Sequence, residues 1–369
     1  MKLNFFAPLF IAGLLGVSVM AAPNPNFHIF LLIGQSNMEG VPAPDDIDLV
    51  TDPRVQVLSY AGYTAPANPT WMTASPPLHS GYLGVGPGDY FAKTLVAALP
   101  AGDSIGLVPC AISGVDIDFF RKGITSARRN QFTIQQGNDY YATGAYQMVL
   151  DRAKFAQERG VIEGILFHQG ESNMGQATWV GQVREIVTDL RTDLGLPNLP
   201  FVAGELLYKG CCSTHNFRVK QIPDSISYSA VVSAALDESA TWGPDVVGLP
   251  AYTGDTYKAH FNLEAQRELG RRYAKKMIPL LPAGTVSSVH QVTKGVARLQ
   301  VQSAQGGLNV TCAGGCEEVS LLGLDGKVVQ VSQDPAGFVG TKNVGRGLYT
   351  LRARNSRGDV QSRLISVVK

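Results

Sequence analysis

The chain has 369 residues, 45% of them hydrophobic and 17% charged, which is enough apolar material for a large core and a smaller second domain. Its formal net charge is +1, with no long run of one sign. That balance argues against a nucleic-acid footprint and against a polybasic membrane patch.

The first segment differs from the rest. Met1-Lys2 precedes the apolar "FFAPLFIAGLLGVSVM", and small residues follow, with Val19 and Ala21 in a cleavage-site pattern. This is the form of a secretory signal peptide over residues 1–22, cut after Ala21 or Ala22. The run is shorter than the ~20 residues a spanning helix needs, and no later segment is apolar enough to span. The expected product is an exported protein, secreted or at the cell surface.

Nearly continuous apolar runs at Phe27–Ile33, Ser104–Ala111, Val161–Phe167, Pro200–Gly204 and Tyr228–Ala235 predict strands buried on both faces. Helical patterns lie between and after them, at Asp89–Leu99, at Ala145–Arg159, in the stripe Val180, Val183, Val187, Leu190 and Leu194, and from about Asn262 to Leu281. Such alternation predicts a parallel sheet between helix layers, an α/β/α sandwich over residues 23–283. The stretch Val41–Gly88 is rich in Pro, Gly, Asp and Ala and reads as a long loop. Its Tyr60, Trp71 and Tyr82 are either a sugar platform or packed surface residues. After "LLPAG" the pattern becomes short alternating strands with turns at Asp325-Gly326 and Arg357-Gly358-Asp359, which predicts a separate small all-β sandwich over residues 284–369.

The five cysteines fit an oxidising compartment without making a disulfide scaffold. Cys312 and Cys316 bracket a turn-like "AGG"; Cys211 and Cys212 are adjacent and either bridge each other or pair elsewhere. Cys110 ends a strand and is expected to be buried. No CxxC pair or HExxH stretch occurs, and the six histidines are scattered, so neither metal nor cofactor is expected.

Polar residues gather where the strands end. "FLLIGQSNMEG" carries an apolar strand into Gln35, Ser36 and Asn37; "VPCAISGVDID" brings Ser113-Gly114; "ILFHQGESN" brings His168, Gln169 and Glu171; "GDTYKAHFN" brings His260 just before the last helix of the large domain. In open α/β sheets sites form at the carboxyl ends of strands. Taken singly, "GQSN" is also a strand followed by a helix N-cap, "ISG" a turn with a permissive glycine, and His260 a packed or capping histidine. "HQGESN" is harder to explain as a plain loop, because it puts a histidine, an amide and an acid on one strand end.

Together "GQSNM", "HQGESN" and "HFNLEAQRELGRRYA" resemble the blocks of the GDSL-related (SGNH) hydrolases, in the branch of sialate O-acetylesterases and family 6 acetylxylan esterases, over roughly residues 26–282. The resemblance implies Ser36 as nucleophile and His260 as its base. It implies an oxyanion hole from the Ser36 and Gly114 N–H groups and the Gln169 side-chain amide. Asn37, Gln35 and His168 would support them. The acid departs from the family's Asp-x-x-His pattern, since Tyr257 stands three residues before His260. Three arrangements stay open: Asp255 reaching the ring across a short insertion, Glu171 serving instead, or a Ser-His dyad. The last block, ending "GLYTLRARNSRGDVQSRLISVVK", is similar to the sorting modules of type IX-secreted bacterial proteins, which would make secretion or cell-surface machinery a partner. A plain accessory sandwich or a carbohydrate-binding module is the alternative.

The resulting expectation is an exported serine esterase acting on O-acetylated carbohydrate, acetylated xylan first and O-acetyl sialic acid second. A non-catalytic sugar-binding protein on the same scaffold and a lipase or thioesterase are the competing classes. The first has against it that Ser36, Gly114, Gln169 and His260 are all retained, and the second would need an apolar channel.

Overall fold

The computed structural model describes residues 22–60, 69–79, 84–136 and 144–286, and then 300–311, 315–323, 327–334, 337–345, 347–355 and 360–367. The segment up to Ala21, where a signal peptide is expected, and Tyr82, Cys312 and the turns at Asp325-Gly326 and Arg357–Asp359 lie outside these residues. The chain divides into two compact units, Met1–Ser287 and Ser288–Lys369.

In the first unit the elements run β1 (Asn24–Gly34), α1 (Ser36–Glu39), β2 (Val55–Leu58), β3 (Trp71–Thr73), α2 (Pro87–Val96), β4 (Ser104–Pro109), α3 (Ser126–Gln136), α4 (Ala145–Gln157), β5 (Gly160–His168), α5 (Trp179–Asp193), β6 (Phe201–Gly204), α6 (Asn216–Val219), α7 (Ile222–Ser225), β7 (Ser229–Val232) and α8 (Leu263–Met277). The strands form one sheet in the order β3-β2-β4-β1-β5-β6-β7. Every pairing is parallel except that of β2 with the edge strand β3.

The continuous apolar run of β1 follows from its central place, because both faces of the sheet are covered. Ile29, Leu31 and Ile33 pack with Val149 of α4 and Val183 and Leu190 of α5. Phe30 and Leu32 point the other way, to Phe91 and Leu95 of α2 and Leu269 and Tyr273 of α8. Side chains alternate across a strand, so a strand between two helix layers must be apolar at every position. The architecture is the expected α/β/α sandwich.

The stretch expected as one long loop differs. "VQVL" forms β2 and "WMT" forms β3, which extend the sheet by two strands. Trp71 packs edge-on against Phe27 at 4.9 Å, and Tyr60 lies under the Arg152 guanidinium at 5.1 Å. Both rings pack against the core instead of forming a sugar platform. These strands escaped notice because they are three and four residues long and are flanked by turn-forming residues.

The second unit contains β8 (Gln300–Ala304), β9 (Gly307–Thr311), β10 (Cys316–Leu322), β11 (Val328–Ser332), β12 (Phe338–Gly340), β13 (Gly347–Asn355) and β14 (Val360–Val367). They make two antiparallel sheets, β11-β10-β13-β14 and β12-β9-β8. One cluster that includes Val310, Val319, Leu321, Val339 and Leu351 fills the space between them. Among the described residues no helix is long and apolar enough to cross a membrane.

Candidate active site

The carboxyl ends of the three central strands are tied together by backbone bonds that continue past the strands. Cys110 N–H donates to Leu32 O at 2.8 Å and Ile112 N–H to Gly34 O at 2.9 Å. On the other flank Gln35 N–H donates to His168 O at 3.0 Å. The turn carrying Ser36 is thus held between Ile112–Gly114 and His168–Gly170. Gly34 has φ +152°, and a Cβ there would lie 2.1 Å from His168 O, so only glycine fits this approach. Gln35, Asn37, Met38 and Glu39 are buried, and Ser36 alone in the turn is part-exposed. Ser36 opens α1, and the N–H of a first helical residue has no intrahelical acceptor.

Ser36 Oγ lies 2.8 Å from His260 Nε2, and His260 Nδ1 lies 2.9 Å from Asp255 Oδ2. A carboxylate only accepts, so Nδ1 carries the proton and Nε2 is left to accept the Ser36 hydroxyl. Of the three arrangements the sequence leaves open, the geometry has the first: the ring nitrogen meets Asp255, and the Glu171 carboxyl is bonded to Asn37 instead. The two extra residues between acid and base are taken up by a turn. Lys258 N–H donates to Asp255 O at 3.2 Å, and Lys258 sits at φ +50°. Asp255 also accepts the N–H groups of Ala259 at 2.6 Å, His260 at 2.9 Å and Tyr257 at 2.9 Å. Burial alone would raise its carboxyl, but those donors and the facing imidazole outweigh it and hold the group below the usual range.

Glu171 does something else. Its Oε1 accepts from Asn37 Nδ2 at 2.5 Å. The same amide donates to Ala259 O at 2.9 Å, and Asn37 Oδ1 accepts Phe261 N–H at 3.2 Å. Asn37 therefore grips the chain on both sides of His260, and Glu171 fixes the amide that does so. Burial pushes the Glu171 carboxyl up to about 7, against the pull of the Asn37 bond. Its neighbour His168 is fully buried, with Nε2 4.0 Å from Glu171 Oε1. Tyr273 gives its only hydroxyl proton to Phe167 O at 2.7 Å, so His168 Nδ1, 3.1 Å from the Tyr273 oxygen, must be the protonated nitrogen. Burial holds His168 neutral, with its pKa lowered to about 3.

Gln169 does not point its amide protons at an incoming oxyanion. Its Oε1 accepts the indole N–H of Trp179 at 2.6 Å, and its Nε2 donates to Asn173 Oδ1 at 2.5 Å and Val115 O at 3.4 Å. Asn173 Oδ1 in turn accepts Ile117 N–H at 3.0 Å. The Gln169 amide braces the segment after Gly114 from behind. Gly114 itself is at φ +72°, and its carbonyl accepts from Ser172 Oγ at 3.2 Å. Gln35 Oε1 accepts Gly170 N–H at 3.4 Å. Asn173 and Trp179 were not singled out from the sequence. The closing Asn of "HQGESN" was the available sign, but a hydrogen-bond partner more than fifty residues away is not written in local pattern.

Cys211 and Cys212 are bridged to each other. Cys211 N–H donates to Lys258 O at 3.2 Å, and Cys212 Sγ lies 3.7 Å from Glu171 O, so the bridge abuts both the Asp255–His260 loop and the Glu171 segment. Cys316 is disulfide-bonded and Cys110 is a buried free thiol. Nearby aromatics are open: Phe217 and Trp242 pair with ring centroids 5.8 Å apart, and Tyr257 is 80% exposed between the acid and the base. Among the described residues no three His, Cys, Asp or Glu side chains gather as metal ligands.

A serine hydroxyl bonded to an imidazole whose far nitrogen faces a carboxylate can give up its proton as its oxygen attacks a carbonyl carbon. Residues 26–279 match the family model described as carbohydrate esterase, sialic acid-specific acetylesterase. The probable carbohydrate esterase At4g34215 of Arabidopsis thaliana is 26% identical over 277 residues, which cover 69% of this chain and 91% of that protein. The crystal structure of the Arabidopsis thaliana protein AT4G34215 superposes with a TM-score of 0.54 at 24% identity, over 70% of this chain and 100% of that one. The crystal structure of NanS aligns with a TM-score of 0.49 at 16% identity, over 70% of this chain and 98% of that chain.

Proposed function

Because the chain belongs to the sialic acid-specific acetylesterase family of carbohydrate esterases, we propose that it is an exported serine esterase that removes O-acetyl groups from acetylated sugars. The observation that carries this reading is the continuous chain Ser36–His260–Asp255, with contacts of 2.8 and 2.9 Å. Ser36 Oγ bonds to the acetyl carbonyl carbon while its proton passes to His260 Nε2, and the carbonyl electron pair moves onto oxygen. That oxyanion is met by the N–H groups of Ser36 and Gly114. Collapse breaks the bond to the sugar oxygen, which takes the proton from His260. Water then attacks the acetyl-Ser36 ester, giving its proton to His260, and acetate leaves as Ser36 is restored. Asp255 holds the imidazole in the accepting tautomer and stabilises it when charged. Asn37, Glu171 and Gln169 are positioning residues in this reading.

Acetylated xylan is the first substrate, since an exported enzyme with an appended β unit suits a polysaccharide. O-acetyl sialic acid is second, the substrate that the description of the matching family names. The test is acetate release from both substrates by the parent and by Ser36→Ala. The reading requires release by the parent on one of them and a loss of at least ~10³-fold with Ser36→Ala. Release that survives Ser36→Ala would exclude Ser36 as the nucleophile, and a parent silent on both would sink the acetylesterase reading.

A further inference from the structure

Glu39 is the last residue of the short helix that Ser36 opens, and it is 1% exposed. A carboxyl in such a place is costly unless it is bonded. Its Oε2 accepts the Ser113 hydroxyl, and the Ser113 backbone N–H also bonds to this carboxyl. Its other oxygen, Oε1, is buried with no hydrogen-bond partner among the described residues. Burial drives the group up to about 7 despite both Ser113 bonds. An apolar residue would fill the space at lower cost, so packing does not account for the acid.

Its contact does. Ser113 directly precedes Gly114, whose left-handed backbone sets the direction of the adjoining peptide N–H groups. Ile112 N–H bonded to Gly34 O fixes the near side of this turn, and Ser172 Oγ bonded to Gly114 O fixes the far side. Glu39 supplies the bond between them, and it comes from the nucleophile's own helix. The Ser113–Gly114 turn and Ser36 are thereby one unit, and a rotation of the turn would break two bonds to a buried carboxyl.

Resting on the esterase reading above, we propose that Glu39 is a positioning residue for the oxyanion: its grip on Ser113 keeps the Gly114 N–H directed at the carbonyl oxygen of the ester bonded to Ser36. An oxyanion donor acts more strongly on the transition state than on bound substrate, so losing its alignment lowers kcat and leaves KM in place.

The test compares the parent, Ser36→Ala, Glu39→Ala, Glu39→Gln, Ser113→Ala and the double variant Glu39→Ala/Ser113→Ala, all as the full chain. Two readouts are 4-nitrophenyl acetate kinetics and the rate at which a fluorophosphonate labels Ser36. The third is the melting temperature of each variant. Glu39→Ala and Ser113→Ala are each expected to lower kcat and the labelling rate by ~30- to 100-fold with KM within about twofold. The double variant should lose little beyond Glu39→Ala, because that change already removes both bonds to Ser113. Glu39→Gln keeps an oxygen that accepts from Ser113 and should recover most of the loss. A folded Glu39→Ala or Ser113→Ala enzyme with parental kcat overturns the proposal, as does a rise in KM at unchanged kcat. Should Glu39→Ala not fold, Ser113→Ala decides alone. A parent that neither hydrolyses the ester nor takes the label, or a Ser36→Ala variant that keeps parental activity, overturns the esterase reading and this proposal with it; parental activity that depends on Ser36 but not on Glu39 or Ser113 overturns this proposal only.

Discussion

Asp255 and Glu171 have side chains equally hidden, each 7% exposed, and both serve the loop that carries His260. Their surroundings drive them in opposite directions. Three backbone N–H groups and an imidazole face Asp255 and hold it ionised, whereas Glu171 has one amide donor at Oε1 and an Oε2 without a partner among the described residues. Exchanging each for its amide therefore has different effects. Asp255→Asn puts a donor against a ring N–H that needs an acceptor, and kcat should fall by ~10²–10⁴-fold. Glu171→Gln still accepts from Asn37 and should cost less than about tenfold. It should also stabilise the fold at neutral pH. The folded Glu171 carboxyl titrates at about 7 and the unfolded one at 4.5. The native state is therefore penalised as pH rises from 4.5 to 7, and the penalty stays constant above that. The whole shift corresponds to on the order of 3 kcal/mol. Denaturant unfolding of the parent and Glu171→Gln at pH 4.5 and pH 8 should show a gain only at pH 8. An equal difference at both values would mean that the carboxyl does not titrate as its burial implies.

The elements divide by how much of their environment is local. β1 was legible because a strand covered on both faces must be apolar throughout, and the helices packed on it carry stripes at helical spacing. β2 and β3 were not, because their pairing partners supply what their short sequences lack. Ser36 and His260 stood out as polar breaks beside apolar elements. The choice of Asp255 depended on a turn at Lys258, and the bonding of the Gln169 amide depended on Trp179. Neither relation has a periodicity to read. One element-scale device lies at the opposite end of the strands from Ser36. His28 on β1 stands between Asp103, just before β4, and Glu163 on β5, at 3.1 and 3.0 Å. Burial works to lower the His28 pKa, but the two acids prevail and raise it above 6.5. The sign follows: the stabilisation from protonated His28 is complete below 6.5 and is lost as pH rises through the raised folded value. His28→Gln should melt well below the parent at pH 6, and the gap should narrow toward pH 9. A gap independent of pH would refute the charge pairing as its source.

At the scale of the whole molecule, the first unit has two buried clusters and the second unit one of its own, with the candidate residues all in the first. Leu321 is fully buried in the second unit. Leu321→Ala should cost that unit ~2–5 kcal/mol. Calorimetry should then show one transition shifted down, while kcat on an aryl acetate stays at the parental value. A parallel loss of kcat would tie the small unit to the site.

The candidate nucleophile and its base stand 224 residues apart, and the turn that aligns the base sits between β7 and α8, the last helix of its unit. A chain emerging from the ribosome presents Ser36 first, when it is an unactivated alcohol, and receives its proton acceptor only after the rest of the sheet has been made. On the proposed esterase reading, reactivity toward esters is thus withheld until the first unit has folded. The hydroxyl acquires its partner only when the loop between β7 and α8 is in place, so on that reading the onset of labelling at Ser36 would mark the completion of the first unit.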